Sequence, residues 1–296
     1  MSSRLSRCKF GSWVAGVERS EPPVRRIPGL RSKFTGLCPV LVFAAFAALC
    51  LGCNGRPQQQ KLLFYCGAGI RPAAAEIVEK FQDRYGVAVE CDYAGSEVLI
   101  SRIKLSGMGD LYMPGDVHYV DQAQEEGLIR TKKTACYFIP VILVQKGNPK
   151  NIRSLADLTR PGVTVGLGDP KACAIGRKCT KIFEKNGISE DDLDVQFRAL
   201  TVNGLGNPIK LEKLDAVIVW DAVAAYFDDD GDVVPIPPEQ NIISTVAVGV
   251  LNCSTRPELA QKLADFITSE PGREVFREHR YTTTLPESGG GLMSDD

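Results

Sequence analysis

From Lys61 onward, short apolar runs alternate with stretches whose apolar residues recur every three or four positions. The run 62–66 reads as a strand and 72–85 as an amphipathic helix closed by Gly86. Strand 87–93 follows, then helix 97–105 closed by Gly107, strand 110–113, and helix 117–126 closed by Gly127. Glycine just past each helix is the expected stop, because the residue there adopts a left-handed conformation. Strands alternating with helices of this length predict an α/β chain with parallel, doubly wound sheets.

The pattern then changes. Residues 136–145 read as one long strand that contains Pro140; lacking an N–H to donate, that proline places the strand at a sheet edge, as a connection. A short helix at 155–158, strand 163–167, the loop Gly168-Asp169-Pro170 and a helix from about 175 to 185 follow. After an irregular region come strand 216–219, helix 221–226, the acidic turn 228–232, strand 233–236 and a long apolar strand at 244–251. Helices 257–269 and 271–279 close the chain. Two long strands bracketing an inserted α/β unit predict two doubly wound lobes joined by two hinge strands. The expected division is 61–138 plus 252–285 for the first lobe, 139–251 with the hinge strands for the second, and a flexible tail at 286–296.

Two strand-to-helix loops carry the candidate chemistry, Gly67-Ala68-Gly69 and Ala94-Gly95-Ser96. In an open α/β sheet such loops lie at the carboxyl ends of strands, where backbone N–H groups and helix dipoles converge on a ligand. An oxyanion is the natural guest. Each residue also has a plainer reading. Gly67 and Gly69 permit a tight turn, and Ser96 reads equally as the N-cap of its own helix.

Composition is that of an ordinary globular chain, with 44% apolar and 24% charged residues among 296. The near-neutral total hides a split. Residues 1–53 hold eight Lys/Arg against Glu18 and Glu21, a net of +6, so the remainder carries −7 of the overall −1. That balance argues against nucleic acid as a partner. The basic start leads into an uncharged, mostly apolar run at 37–51, too short to span a membrane comfortably, which reads as an export signal. Cys50-Leu51-Gly52-Cys53 resembles a bacterial lipobox, with Cys53 as the lipid-bearing residue. A plain secretory signal and a retained anchor helix are the alternatives. Residues 54–60, polar and Gln-rich, read as a tether.

Other features point away from catalysis. There is no GxSxG elbow, no P-loop and no GxGxxG followed by a distant acid, and the only histidines are His118 and His279. No enzyme activity, cofactor or resident metal is expected. The run Asp228-Asp229-Asp230-Gly231-Asp232 mimics calcium-loop spacing but has Val233 where such a loop needs glycine, so it reads as a solvated turn. In an oxidising compartment the six cysteines after Cys53 offer two candidate disulfides, Cys66 with Cys91 and Cys136 with Cys253, free thiols being the alternative.

Seven segments, taken in order, resemble the solute-binding proteins of ABC transporters, in particular the molybdate and tungstate receptors. They are CGAGIRPAAAEIVEKFQDRYGVAVE at 66–90, YAGSEVLISRI at 93–103, GDLYMPGD at 109–116, IPVILVQKGNP at 139–149, VGLGDPKACAIGRKC at 165–179, KLDAVIVWDA at 213–222 and ITSEPGREVFREHRY at 267–281. The resemblance covers 61–285 and implies a type II periplasmic binding fold, a monomer, an oxyanion ligand such as molybdate or tungstate, and a transporter permease as partner. It places the ligand contacts at Gly67, Ala68, Gly69, Gly95, Ser96, Ala174 and Trp220. The family's first-loop serine aligns with Gly69, and Trp220 stands where the molybdate receptors usually have tyrosine. A metal-cation receptor of the same fold, using Glu97, Asp221 and a tyrosine such as Tyr93, is the alternative. A dianion held by neutral donors at several helix N-termini needs no lysine, because each end carries roughly half a positive charge.

Overall fold

The computed structural model describes residues 61–285. The expected export signal, lipid-bearing Cys53, tether and tail lie outside these residues. Among the described residues no helix is long and apolar enough to cross a membrane.

Two five-stranded mixed sheets form the core. The first has the order β2-β1-β3-β10-β4, from β1 (Lys61–Gly67), β2 (Ala88–Ala94), β3 (Leu111–Met113), β4 (Ile129–Phe138) and β10 (Ser244–Leu251). The second has the order β7-β6-β8-β5-β9, from β5 (Pro140–Gln145), β6 (Thr164–Gly168), β7 (Asp194–Ala199), β8 (Ala216–Trp220) and β9 (Gly231–Pro235). In each sheet four strands share one direction and one is reversed: β10 runs against its neighbours β3 and β4 in the first sheet, and β5 against β8 and β9 in the second.

The helices are α1 (Arg71–Tyr85), α2 (Ser96–Ser106), α3 (Val117–Glu125), α4 (Ala174–Lys185), α5 (Asn203–Lys210), α6 (Asp221–Ala224), α7 (Pro257–Thr268) and α8 (Glu270–Glu278). Their apolar stripes cover the sheets. Ala73, Ala74, Ile77, Val78 and Phe81 of α1 are all buried, a helical repeat of one face. Gly86 and Gly107 end α1 and α2 at φ of 66° and 61°, the left-handed geometry a side chain resists. All five residues of β8 are buried, as suits a strand covered on both faces.

Five expectations need correction. The sheets are mixed rather than wholly parallel. The run 136–145 is two strands, β4 at the edge of the first sheet and β5 in the interior of the second, flanked by β8 and β9. Pro140 is tolerated there because it is the first residue of β5. Residues 244–251, grouped with the second lobe, pair with β3 and β4 in the first sheet. The region read as irregular holds β7 and α5. Neither candidate disulfide forms, and all six described cysteines are free thiols. The register sets Tyr93 rather than Cys91 opposite Cys66, while Cys136 is buried opposite Val246 and Cys253 is exposed beyond the end of β10.

The two sheets are linked at Ile139, between β4 and β5, and again by the segment between β9 and β10. Asp221 grips the first link from the second sheet. Its N–H donates to the Ile139 carbonyl at 2.8 Å, and its Oδ1 accepts from the Ile139 N–H at 3.1 Å.

Candidate functional site

One small cavity, of about 20 Å³, is walled by loops from both sheets. Gly67, Ala68, Gly69, Gly95 and Ser96 reach it from the first sheet, and Ala174 and Trp220 from the second. All seven residues expected at the site therefore share one cavity. Gly115, Cys173, Thr201 and Val202 complete much of its wall, and no charged side chain lines it.

The local sequence explains why backbone donors gather here. Gly95 is the N-cap of α2, Cys173 of α4 and Val202 of α5, while Gly67 precedes the 3₁₀ turn Ala68–Ile70 that runs into α1. First-turn N–H groups have no acceptor within their own helix. Four N-termini thus direct their partial positive charge toward one space.

Ser96 is not the cap of α2. It is the first helical residue, Gly95 holds the N-cap position, and no side chain caps that end. Its hydroxyl accepts from the Gly115 N–H at 3.1 Å, and its carbonyl accepts from the buried Tyr112 hydroxyl at 2.9 Å. The Ser96 hydroxyl proton finds no acceptor among the described residues, which leaves it available to a guest. In the loop before α4, Asp169 Oδ1 accepts from the Lys171 N–H at 2.8 Å and its carbonyl accepts from the Ala172 and Cys173 N–H groups.

Trp220 combines packing with lining. It is 1% exposed and stacks on Phe138, the rings 4.8 Å apart and inclined by only 4°. Phe138 also meets Tyr281, whose hydroxyl donates to the Gly69 carbonyl at 2.6 Å. The same aromatic wall explains the glycine in the first loop. A β-carbon at position 69 would lie 2.8 Å from Val202 Cγ1 and 3.3 Å from Trp220 Cδ1, so a serine does not fit.

The residues of the cation alternative are not brought together. Neither Glu97 nor Asp221 lines the cavity. Asp221 is committed to Ile139, and burial pushes its carboxyl up to about 6. Tyr93 sits under the Arg71 guanidinium, 5.2 Å from its ring centre. The acidic turn is likewise occupied: Asp228, Asp230 and Asp232 pair with Arg280, Lys210 and Lys146. Among the described residues no group of three or more His, Cys, Asp or Glu side chains is arranged to hold a metal ion.

Sequence reasoning missed three parts of this region. Thr201 and Val202 belong to the segment read as irregular. Gly115 lies at the end of β3, before α3, and its N–H fixes the Ser96 hydroxyl. The third is a buried ion pair beside the cavity. Lys178 Nζ of α4 lies 2.7 Å from Asp116 Oδ2, and both side chains are at most 5% exposed.

Residues 62–282 match the family described as bacterial extracellular solute-binding protein. The chain belongs to that family. Among its relatives, a protein of Mycobacterium bovis named molybdate-binding protein ModA is 27% identical over 256 residues, 82% of this chain and 97% of the relative. The Azotobacter vinelandii periplasmic molybdate-binding protein superposes with a TM-score of 0.64 at 14% identity, covering 76% of this chain and all of that one. The sulfate-binding protein SubI of Mycobacterium tuberculosis H37Rv gives 0.65 at 18% identity over 75% of this chain and 86% of its own. At such identities the structures establish a shared two-lobed α/β fold, the type II periplasmic binding fold.

Proposed function

We propose that this protein is an extracytoplasmic receptor that binds a compact tetrahedral oxyanion, molybdate or tungstate, between its two lobes and presents it to an ABC transporter permease. The observation that carries this reading is the convergence of four helix N-termini and the Ser96 hydroxyl on one small cavity without a charged side chain. Oriented N–H groups in such a water-poor space are well placed to hold a dianion. The volume fits the same guest. The cavity is small, about 20 Å³, which favours a compact inorganic anion over a bulky organic solute. The relatives named for molybdate point in the same direction.

Function then follows from closure. A ligand touched by loops of both lobes stabilises the arrangement in which they meet, and the permease recognises that arrangement. The Glu97 N–H of α2 already donates to the Ala172 carbonyl of the opposite lobe at 3.2 Å. Cys53 would carry a lipid that keeps the receptor at the membrane.

Isothermal titration of the full-length protein tests the ligand class. Molybdate and tungstate should each saturate one site per chain, while glycerol phosphate should not bind. Binding of the organic phosphate in place of the inorganic anions would refute the size argument. Membrane fractionation tests the anchor: Cys53→Ser should release the protein, and unchanged processing and retention would refute it.

A further inference from the structure

Asp116 stands just before α3, where its Oδ1 accepts from the His118 N–H at 2.9 Å and caps that helix. Its Oδ2 accepts from the Ser244 hydroxyl of β10 at 2.5 Å and lies 2.7 Å from Lys178 Nζ. Asp116 and Ser244 belong to the first lobe, and Lys178 to α4 of the second. The ion pair therefore crosses from lobe to lobe, buried at both ends. One residue away, Gly115 holds the Ser96 hydroxyl through its N–H, and a β-carbon at Gly115 would lie 3.3 Å from Ala174 Cβ at the start of α4.

We propose that Asp116 and Lys178 are positioning residues that form the closure lock of this receptor, setting the position of the α4 N-terminus against Ser96 without touching the ligand. The proposal rests on the reading of the cavity as a ligand site that closes. When the lobes part, both charges return to water. When they meet, both lose hydration, which their mutual contact, the Ser244 hydroxyl and the His118 N–H help to offset. Such a pair adds little net attraction, because desolvation offsets most of the Coulomb gain. Its effect is on geometry. A charge without its partner cannot enter the interface cheaply, so the lobes close in one register only. Lys178 is carried on the buried stripe of α4, beside Ala174, Ile175, Cys179 and Ile182, a face otherwise apolar.

Two readouts on the full-length protein test this. The first needs no ligand: small-angle X-ray scattering of the ligand-free protein should give a larger radius of gyration for Lys178→Met and Asp116→Asn than for wild type. The second is titration with molybdate, which each single variant should bind at least tenfold more weakly. The double variant removes both charges of the pair, so it should be compact and bind molybdate more tightly than either single variant. Ser96→Ala should weaken binding while leaving the radius unchanged. If the singles fail to fold, the double variant decides: compactness and near-wild-type affinity support the lock, and an expanded radius overturns it. Unchanged radii in both single variants, or losses that simply add in the double, would also overturn it. If wild type binds no oxyanion, the ligand reading fails but the scattering comparison still decides the lock.

Discussion

Gly69 faces Val202 across the cavity so closely that a β-carbon at position 69 would come within 2.8 Å of the valine Cγ1. A serine there is the obvious way to add a hydroxyl donor, yet in this chain the space is taken by Val202 and by the Trp220 indole. We expect Gly69→Ser to weaken oxyanion binding, because overpacking of this size typically costs about 1–3 kcal/mol, or roughly fivefold to a hundredfold. Gly69→Ser combined with Val202→Ala should recover most of the loss. Titration calorimetry on the two variants checks this, and equal affinities would show that the steric conflict is not the cause.

Gly95 packs its backbone directly against the second lobe. A β-carbon there would lie 2.3 Å from the Ala172 carbonyl oxygen and 2.6 Å from that of Leu200, both in the second lobe. The backbone at Gly95, φ −66° and ψ 150°, suits alanine equally well, so Gly95→Ala strains only the closed arrangement. Affinity should fall at least tenfold, while unfolding of the ligand-free protein by denaturant should change by less than about 1 kcal/mol.

Ser96→Ala removes the one hydroxyl donor of the first lobe's loops and leaves the Gly115 N–H without its acceptor. Losing a hydrogen bond to a charged partner costs about 1.5–3 kcal/mol, so oxyanion binding should weaken at least tenfold. Apo stability should drop by only about 1 kcal/mol, the ordinary cost of one buried hydrogen bond. Calorimetry paired with urea unfolding separates the two effects, and an unchanged affinity beside a lowered stability would make Ser96 purely structural.

Asp221 supplies a pH dependence with a definite sign. Burial raises its carboxyl from 3.8 to about 6 in the folded protein. Between these values the folded state holds a proton that the unfolded state has lost, so the group's contribution to stability is fully present below pH 3.8 and declines to its lowest level above about 6. Asp221→Asn keeps an oxygen for the Ile139 N–H but removes the charge. It should be about 1–3 kcal/mol more stable than wild type at pH 7, with the difference vanishing near pH 4. Denaturant unfolding across that range measures it, and a difference independent of pH would contradict the assignment.

Much of the fold was legible because periodicity and helix stops agree. The helix closed by Gly86 and the strand at 244–251 fall within a residue or so of the observed α1 and β10. What failed was pairing, which depends on partners far along the chain. Pro140 marked residues 136–145 as a connection, but the local pattern did not split the run into two strands of different sheets, and nothing local assigns 244–251 to the first sheet. The segment holding β7 and α5 was unreadable for another reason. The strand carries polar residues on an exposed edge, and the helix, Asn203–Lys210, contains two glycines and Pro208, so packing rather than propensity makes it helical. Thr201 and Val202 were lost with it. Lys178 could have been noticed, since a lysine on the stripe Ala174, Ile175, Cys179, Ile182 and Phe183 signals a buried charge with a partner. Its partner, Asp116, is visible only in three dimensions.

The central claim is that the cavity holds an oxyanion, and the most direct measurement is thermal unfolding of the protein against a panel of molybdate, tungstate, sulfate, phosphate and divalent and trivalent metal ions. Molybdate or tungstate at a hundred times its dissociation constant should stabilise the fold by about 2.7 kcal/mol and raise the melting temperature accordingly. A melting temperature unmoved by saturating oxyanions but raised by a metal ion would contradict the account and transfer the assignment to a cation receptor.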